Sequence, residues 1–224
     1  MKIILLRHVE SDKNIKKSFS SEKNQENITD LGRNQASAIA EAIRAYSIKN
    51  DLRVEKIYSA SSKRAIETSN AIACAMSAKI EPFDSLISVT TDKSLKGKSE
   101  EEILKINPTF IKELSLYRAG LFSAYNYSTV ADVIKSGKYE SEVMNTFNEI
   151  ISNGLESLKV IVLHHSSITA LLINIARSMG CYPSNYYGRV EADLGKIYLV
   201  NYDEESKQFS FEIANGSPNE LTDL

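Results

Sequence analysis

The sequence of 224 residues predicts an α/β fold, a three-layer α/β/α sandwich with a mostly parallel central sheet. Three observations carry this reading. The apolar runs Ile3–Leu6 and Val160–Leu163, and the short stretch Val54–Tyr58, have the length of strands. A helical apolar pattern follows each run. Polar, cap-forming residues stand between each run and its helix.

In chain order, Ile3–Leu6 reads as a strand buried on both faces. Asp12 to Asn27 is rich in Lys, Ser and Asn without a period, and reads as a long loop, a class that often carries function. Thr29 caps a helix with Ala36, Ile39, Ala40 and Ile43 on one face. After the strand Val54–Tyr58, Ser61 or Ser62 caps a helix carrying Ala65, Ile72, Ala73 and Met76 at core spacing. Ser99 and Glu102 form a capping-box pattern, so a helix runs to about Asn107 and stops before Pro108. Phe110 to Ile134 holds helical pieces without clear limits. Glu140 to Leu158 keeps Val143, Phe147, Ile150, Ile151 and Leu155 in helical register. After Val160–Leu163, Ser166 or Ser167 caps an almost wholly apolar helix, Ile168–Met179, that must be packed on more than one side. Lys196–Tyr202 and Gln208–Ile213 alternate around a polar Asp203–Lys207 connection, as a closing hairpin does.

Composition narrows the function classes. With 27 Lys+Arg against 29 Asp+Glu the formal charge is −2, too little basic excess for a protein whose main partner is nucleic acid. The chain carries two cysteines, Cys74 and Cys181, and no CxxC or Cys/His cluster suggests structural zinc. Both cysteines fall in apolar helical patterns and are expected to be buried free thiols in a reducing compartment. The apolar run after Met1 is too short for a signal-peptide core, and Ile168–Ala176 is too short for a membrane span. A cytoplasmic protein without membrane contact is therefore expected.

Ligands of such sheets sit outside the carboxyl ends of the strands. The first strand ends in Arg7-His8-Val9-Glu10, the second in Ser59 with Arg64 shortly after, and the third in His164-His165-Ser166-Ser167. Two imidazoles and two guanidinium groups at one sheet edge call for an anion between them. Arg presents a planar fork of donors suited to phosphate oxygens. A His flanked by guanidinium groups has its charged form disfavoured, so it is neutral and nucleophilic near pH 7. The second His can donate to a phosphoryl oxygen, and the fixed donors would stabilise charge in transfer. The guanidinium groups neutralise the phosphate, so no metal and no cofactor is expected. Lys13, Lys16 and Lys17 form a basic run that could draw in anions, and Tyr117, Tyr125 and Tyr127 could line a lid.

These residues also carry a family resemblance. Leu6-Arg7-His8-Val9-Glu10-Ser11 with Asn14 resembles the "L-V-R-H-G-E-S-x-x-N" signature of the histidine phosphatase superfamily, also called phosphoglycerate mutase-like. Ile28-Thr29-Asp30-Leu31-Gly32-Arg33-Asn34-Gln35-Ala36 resembles its "L-T-x-x-G-x-x-Q-A" segment. Ile57-Tyr58-Ser59-Ala60-Ser61-Ser62-Lys63-Arg64-Ala65 with Thr68 resembles its "Y-S-S-x-x-x-R-A-x-x-T". Val160-Ile161-Val162-Leu163-His164-His165-Ser166-Ser167 is similar to its "V-L-V-V-S-H-G-G", and Glu140-Ser141 to its "G-E-S". The four main pieces stand in the family's order and spacing.

The resemblance implies a single domain over 1–224 with a helical cap insertion at about 84–139. It implies that His8 becomes phosphorylated and that Arg7, Arg64 and His165 complete the phosphate pocket, with Asn14 as a further polar contact. His165, rather than His164, matches the family's second His. Three departures stand out. Val9 replaces a Gly, which questions the local backbone path. Ser166 and Ser167 replace a Gly pair. The stretch Leu86–Gly97 lacks the family's Glu general acid, since Ser88 or Val89 falls at that position depending on the direction of counting. Asp84 and Asp92 are the nearby substitutes, and Asp92, which follows an apparent strand, is the preferred acid. The expected function is metal-independent hydrolysis of a small phosphomonoester through a phosphohistidine on His8. The alternatives are a diverged phosphate-binding protein with weak or no catalysis, and a phosphoglycerate-type mutase. An apolar sheet edge could support a homodimer.

Overall fold

The computed structural model describes residues 1–16, 26–88, 95, 97–118, 138–153, 157–180 and 192–224. Its centre is a six-stranded sheet of order β3-β2-β4-β1-β5-β6. The strands are β1 (Lys2–Arg7), β2 (Lys56–Ala60), β3 (Lys79–Phe83), β4 (Leu158–Leu163), β5 (Ile197–Asp203) and β6 (Gln208–Gly216). Pairings β1–β4, β4–β2 and β2–β3 are parallel, whereas β5 runs antiparallel to both β1 and β6. The sheet is thus mostly parallel with an antiparallel hairpin at one side, as the alternation predicts.

Burial explains the strand sequences. Ile3, Ile4, Leu5 and Leu6 in β1 are all fully buried, as is every apolar residue of β4. A central parallel strand is covered on both faces, so it reads as a continuous apolar run. Each such side chain contributes about 1.5–3 kcal/mol relative to exposure. β3 differs: it is the edge strand, its residues are exposed or half-buried, and it contains Pro82. Pro is tolerated there because an edge residue can leave one backbone direction unpaired. The apparent strand before Asp92 falls on a stretch whose residues 89–94 lie outside the described residues. The parallel strand of this region is Lys79–Phe83, and a 3₁₀ turn at Asp84–Leu86 follows it.

The helices are α1 (Asp12–Ile15), α2 (Asp30–Lys49), α3 (Lys63–Met76), α4 (Glu100–Ile106), α5 (Pro108–Arg118), α6 (Lys138–Ser152), α7 (His165–Ser178) and α8 (Pro218–Asp223). They layer on the sheet in two packed groups, α2 with α3 and α8, and α6 with α7. Thr29 caps α2 as expected, its hydroxyl accepting from Gly32 N at 3.0 Å. Ser99 and Glu102 form the expected capping box on α4. α6 stops at Ser152 and Leu158 opens β4, so the helical register read through to Leu158 runs too far. α1 places one short helical turn where only loop is expected.

Two local expectations need correction. Cys74 is exposed on α3, because the buried face of that helix is Ala65, Thr68, Ser69, Ile72 and Ala73 and Cys74 points away from it. Cys181 lies outside the described residues. The serines after β4 do not cap α7. The cap position is His164, and Ser167 in the first turn reaches back, accepting from His164 N at 3.0 Å. Within the proposed insertion, Leu95, Ile103 and Phe110 form a small core of their own with Ile111. Asp92, Tyr125, Tyr127 and Lys17 lie outside the described residues, as does the side chain of Tyr117.

Candidate active site

Parallel pairing brings the carboxyl ends of three adjacent strands to one edge. Arg7 pairs with Leu163 and Ser59 with Val162, so the residues just beyond β1, β2 and β4 converge. His8 extends the ladder by one bond, donating its N–H to Leu163 O at 3.0 Å. From there three side chains meet: His8, Arg64 at the second position of α3, and His164 at the cap of α7.

Arg64 is the hub. It is fully buried, and all three of its guanidinium nitrogens are engaged. Nε donates to His8 Nε2 at 3.2 Å, Nη1 to Glu26 Oε2 at 2.9 Å, and Nη2 to His164 Nδ1 at 3.3 Å. These partners fix the tautomers, because guanidinium nitrogens only donate. His8 Nδ1 faces Val9 O at 2.7 Å, so the proton is on Nδ1 and the Nε2 lone pair is exposed to Arg64. His164 accepts at Nδ1 and therefore donates from Nε2 to Ser62 Oγ at 2.9 Å. The two rings meet edge-on with centroids 4.9 Å apart.

Both imidazoles are neutral. Burial holds the His8 pKa well below the ordinary histidine range, with the charges of Arg64, Arg7 and Lys13 adding to it. His164 is depressed in the same way, by burial first and then by Arg64. Charge among guanidinium groups predicts this direction, and burial is the larger cause. Burial also lowers the Arg64 pKa, with the Glu26 carboxylate opposing that shift.

The segment after His8 is clamped by residues of the second motif. Glu10 N donates to Gln35 Oε1 at 3.0 Å, and Thr29 Oγ1 donates to Glu10 Oε1 at 2.7 Å. Gly32 packs so closely that a Cβ would lie 2.2 Å from the Glu10 carbonyl oxygen. Thr68 Oγ1 accepts from Val9 N at 3.3 Å and donates to Arg64 O at 2.8 Å, tying α3 to the same segment. Val9 is fully buried and is not among the positive-φ residues, so its backbone is one that a β-branched residue adopts without strain.

The remaining expected residues are placed as follows. Arg7 is half-buried at the end of β1 and donates from Nη1 to Ala192 O at 2.6 Å. His165 is half-buried at the first position of α7, next to His164. Asn14 turns its carbonyl oxygen back to Ser11, accepting from Ser11 N at 3.0 Å and from Ser11 Oγ at 2.6 Å. Ser88, at the acid position counted forward from Leu86, lies 3.1 Å from Ser166 Oγ, which also accepts from Tyr139 OH at 3.2 Å. Asp84 is exposed and takes a hydrogen bond from Ser61 Oγ.

Sequence reasoning undervalues two members of this cluster and misses a third. His164 is passed over in favour of His165 but is 2% exposed and bonded to Arg64. Ser62 reads as a helix cap, yet its hydroxyl serves His164 and makes no cap bond. Glu26 sits in the aperiodic loop, where its only signal is its place just before Ile28-Thr29. Among the described residues no group of three or more His, Cys, Asp or Glu is arranged to hold a metal ion. Nor is any helix among them long and apolar enough to cross a membrane.

Comparison with known proteins bears on the fold and the family. A 2,3-bisphosphoglycerate-dependent phosphoglycerate mutase of Thermoplasma acidophilum is 27% identical over 173 residues, 77% of this chain and 75% of that protein. Among solved structures, mycobacterial hydrolase 1 matches with a TM-score of 0.73 at 15% identity, covering 96% of this chain and 98% of its own. A mycobacterial glucosyl-3-phosphoglycerate phosphatase in complex with VO3 matches with a TM-score of 0.71 at 16% identity, covering 96% and 99%. The alpha-ribazole phosphatase from Shigella flexneri matches with a TM-score of 0.67 at 16% identity, covering 96% of each chain. These likenesses share the fold, and residues 3–212 match the model of the histidine phosphatase superfamily, branch 1. The chain belongs to that superfamily.

Proposed function

We propose that the protein hydrolyses a small phosphomonoester, without a metal ion, through a phosphohistidine on His8. The observation that carries this is the tautomer of His8. Its Nδ1 proton is held by Val9 O, and its Nε2 lone pair lies in the donor field of a fully buried guanidinium. A neutral imidazole held in this way is a nucleophile that needs no proton removed before attack.

The chemistry follows from the same atoms. A phosphoryl group takes the Arg64 donors, freeing His8 Nε2. Nε2 attacks phosphorus, the N–P bond forms, and the ester P–O bond breaks. The leaving oxygen takes a proton, for which Asp92 is proposed from its place in the chain alone. Water then attacks phosphorus and gives one proton back to the acid, the N–P bond breaks, and inorganic phosphate leaves with His8 neutral again. Fixed donors on the transferred group supply most of the stabilisation. Arg7, His165 and Asn14 are proposed as further contacts of the phosphoryl oxygens. The relatives' names point to small phosphorylated organic acids and sugars as the substrate class.

The test is turnover of a chromogenic phosphate ester in EDTA. Turnover that disappears in His8→Ala supports the reading, and turnover unaffected by that change overturns it. A second reading, phosphate binding with little catalysis, is favoured by Ser88, which, counted forward from Leu86, falls where the family has Glu and is bonded to Ser166. It predicts phosphate binding without product release. Conversion between phosphoglycerate isomers would instead mark a mutase.

A further inference from the structure

We propose that Glu26 is an internal anion that holds Arg64 in the resting site, and that the phosphoryl group of the substrate must displace it. The inference rests on the phosphatase reading and names a specificity-determining residue of that site. A guanidinium removed from water needs a counter-charge in every state of the protein, because an uncompensated buried charge is strongly destabilising. Arg64 is fully buried, and the Glu26 side chain, 15% exposed, pairs with it at 2.9 Å. The phosphoryl group to be bound carries the same kind of oxygen as that carboxylate, and Arg donates to both in similar geometry.

Glu26 is placed for this role by its chain neighbours. Asp12 N donates to Asn27 O at 3.0 Å, Ile28 bridges Ser11, and Ile28 N donates to Glu67 Oε2 at 2.7 Å. Thr29 N donates to Glu10 O at 3.1 Å. Residues 27–29 are thus pinned against residues 10–12, and Glu26 is the next residue beyond the clamp. The Nη1 nitrogen that holds Glu26 belongs to the same guanidinium whose Nε meets the His8 lone pair. A phosphoryl group bound at His8 and Arg64 therefore meets the Glu26 charge directly. Like charges on one guanidinium repel, so binding the substrate requires the carboxylate to move off.

The residue thus sets how strong an anion the site admits. A dianionic phosphoryl group outcompetes one carboxylate, whereas a carboxylate-bearing compound has no such advantage. The pocket would in this way reject free organic acids and accept their phosphate esters.

The experiment compares wild type with Glu26→Gln and Glu26→Asp by calorimetric titration with inorganic phosphate and by steady-state kinetics on a chromogenic ester. Glu26→Gln keeps the shape and removes the charge. It is expected to tighten phosphate binding and lower KM by about tenfold, equivalent to about 1.4 kcal/mol. The gain appears in phosphate affinity and KM and not as a rise in kcat. Glu26→Asp, which keeps the charge, should gain clearly less phosphate affinity than Glu26→Gln. Acetate and succinate should bind Glu26→Gln more tightly than wild type. Phosphate binding by Glu26→Gln but not by wild type would also support the proposal. If both bind phosphate equally, or if Glu26→Gln loses stability without gaining affinity, Glu26 is a structural partner only. The internal-anion proposal then falls while the phosphatase reading stands. If neither protein binds phosphate or turns over the ester, both readings fall.

Discussion

Acidification from about pH 7.5 to about pH 5.5 should lower folding stability through His8 and His164 alone, by at most about 3 kcal/mol. Both side chains are buried and neutral, with pKa values held well below the ordinary histidine value. Unfolding returns each to about 6.5. A group whose folded pKa is depressed contributes stability that is present above the unfolded pKa and is lost as pH falls toward the folded one. Below about pH 6.5 the unfolded chain binds two protons that the native state refuses, so stability drops by about 1.4 kcal/mol per histidine for each pH unit. One unit below the unfolded value the two together give at most about 3 kcal/mol. For a chain of this size that limit corresponds to a Tm lower by about 6–12 °C. The assay is thermal or urea unfolding across this range for wild type, His8→Gln, His164→Gln and the double variant. The quantity to read is the slope of stability against pH, since the substitutions also shift its absolute level. Each single variant should flatten the slope by about one half of the histidine contribution, and the double variant by all of it. A slope that is the same in wild type and the double variant would refute the assignment of neutral, proton-refusing imidazoles.

Three further outcomes follow from packing and exposure. Ser62→Ala strips the acceptor from the buried His164 Nε2–H, which should cost about 1–3 kcal/mol in urea unfolding; a change below about 0.5 kcal/mol would mean that this hydrogen bond is not holding the ring. Gly32→Ala places a methyl group 2.2 Å from the Glu10 carbonyl oxygen, where only backbone movement gives relief. It should destabilise by about 1–3 kcal/mol and reduce turnover by displacing the segment after His8, whereas a neutral result in both would contradict the close packing of α2 on that segment. Cys74→Ser should change stability by less than about 0.5 kcal/mol and remove one equivalent of native-state thiol labelling, because the residue is exposed; protection of Cys74 from the reagent would restore the buried reading.

The sequence announces the central parts of this molecule through burial. β1 and β4 are covered on both faces, so their apolar runs are unmistakable, and the polar residues beyond them mark the site by position alone. The motif around Ile28–Ala36 is legible as a motif, but its purpose is not. Only the structure reveals that Thr29, Gly32 and Gln35 hold Glu10, and with it the strand end that carries His8. β3 escapes because an edge strand with Pro82 has neither a continuous run nor a clean alternation. Cys74 misleads because the end of α3, Ala71–Met76, is apolar on every face, so periodicity does not say which side is covered. Adjacent imidazoles at 164 and 165 are separable only in three dimensions, where the cap position turns one ring onto Arg64. Glu26 is invisible for a plain reason: an aperiodic loop carries no pattern from which a long-range ion pair could be read.

The central claim is that His8 carries the phosphoryl group. Rapid alkaline quench of enzyme mixed with a chromogenic phosphate ester, followed by intact mass and peptide fragmentation, tests it most directly. The account predicts an acid-labile, alkali-stable phosphoryl group on the peptide containing His8 that forms and decays at the rate of turnover. Turnover with no such label, or with the label on another residue, would contradict it.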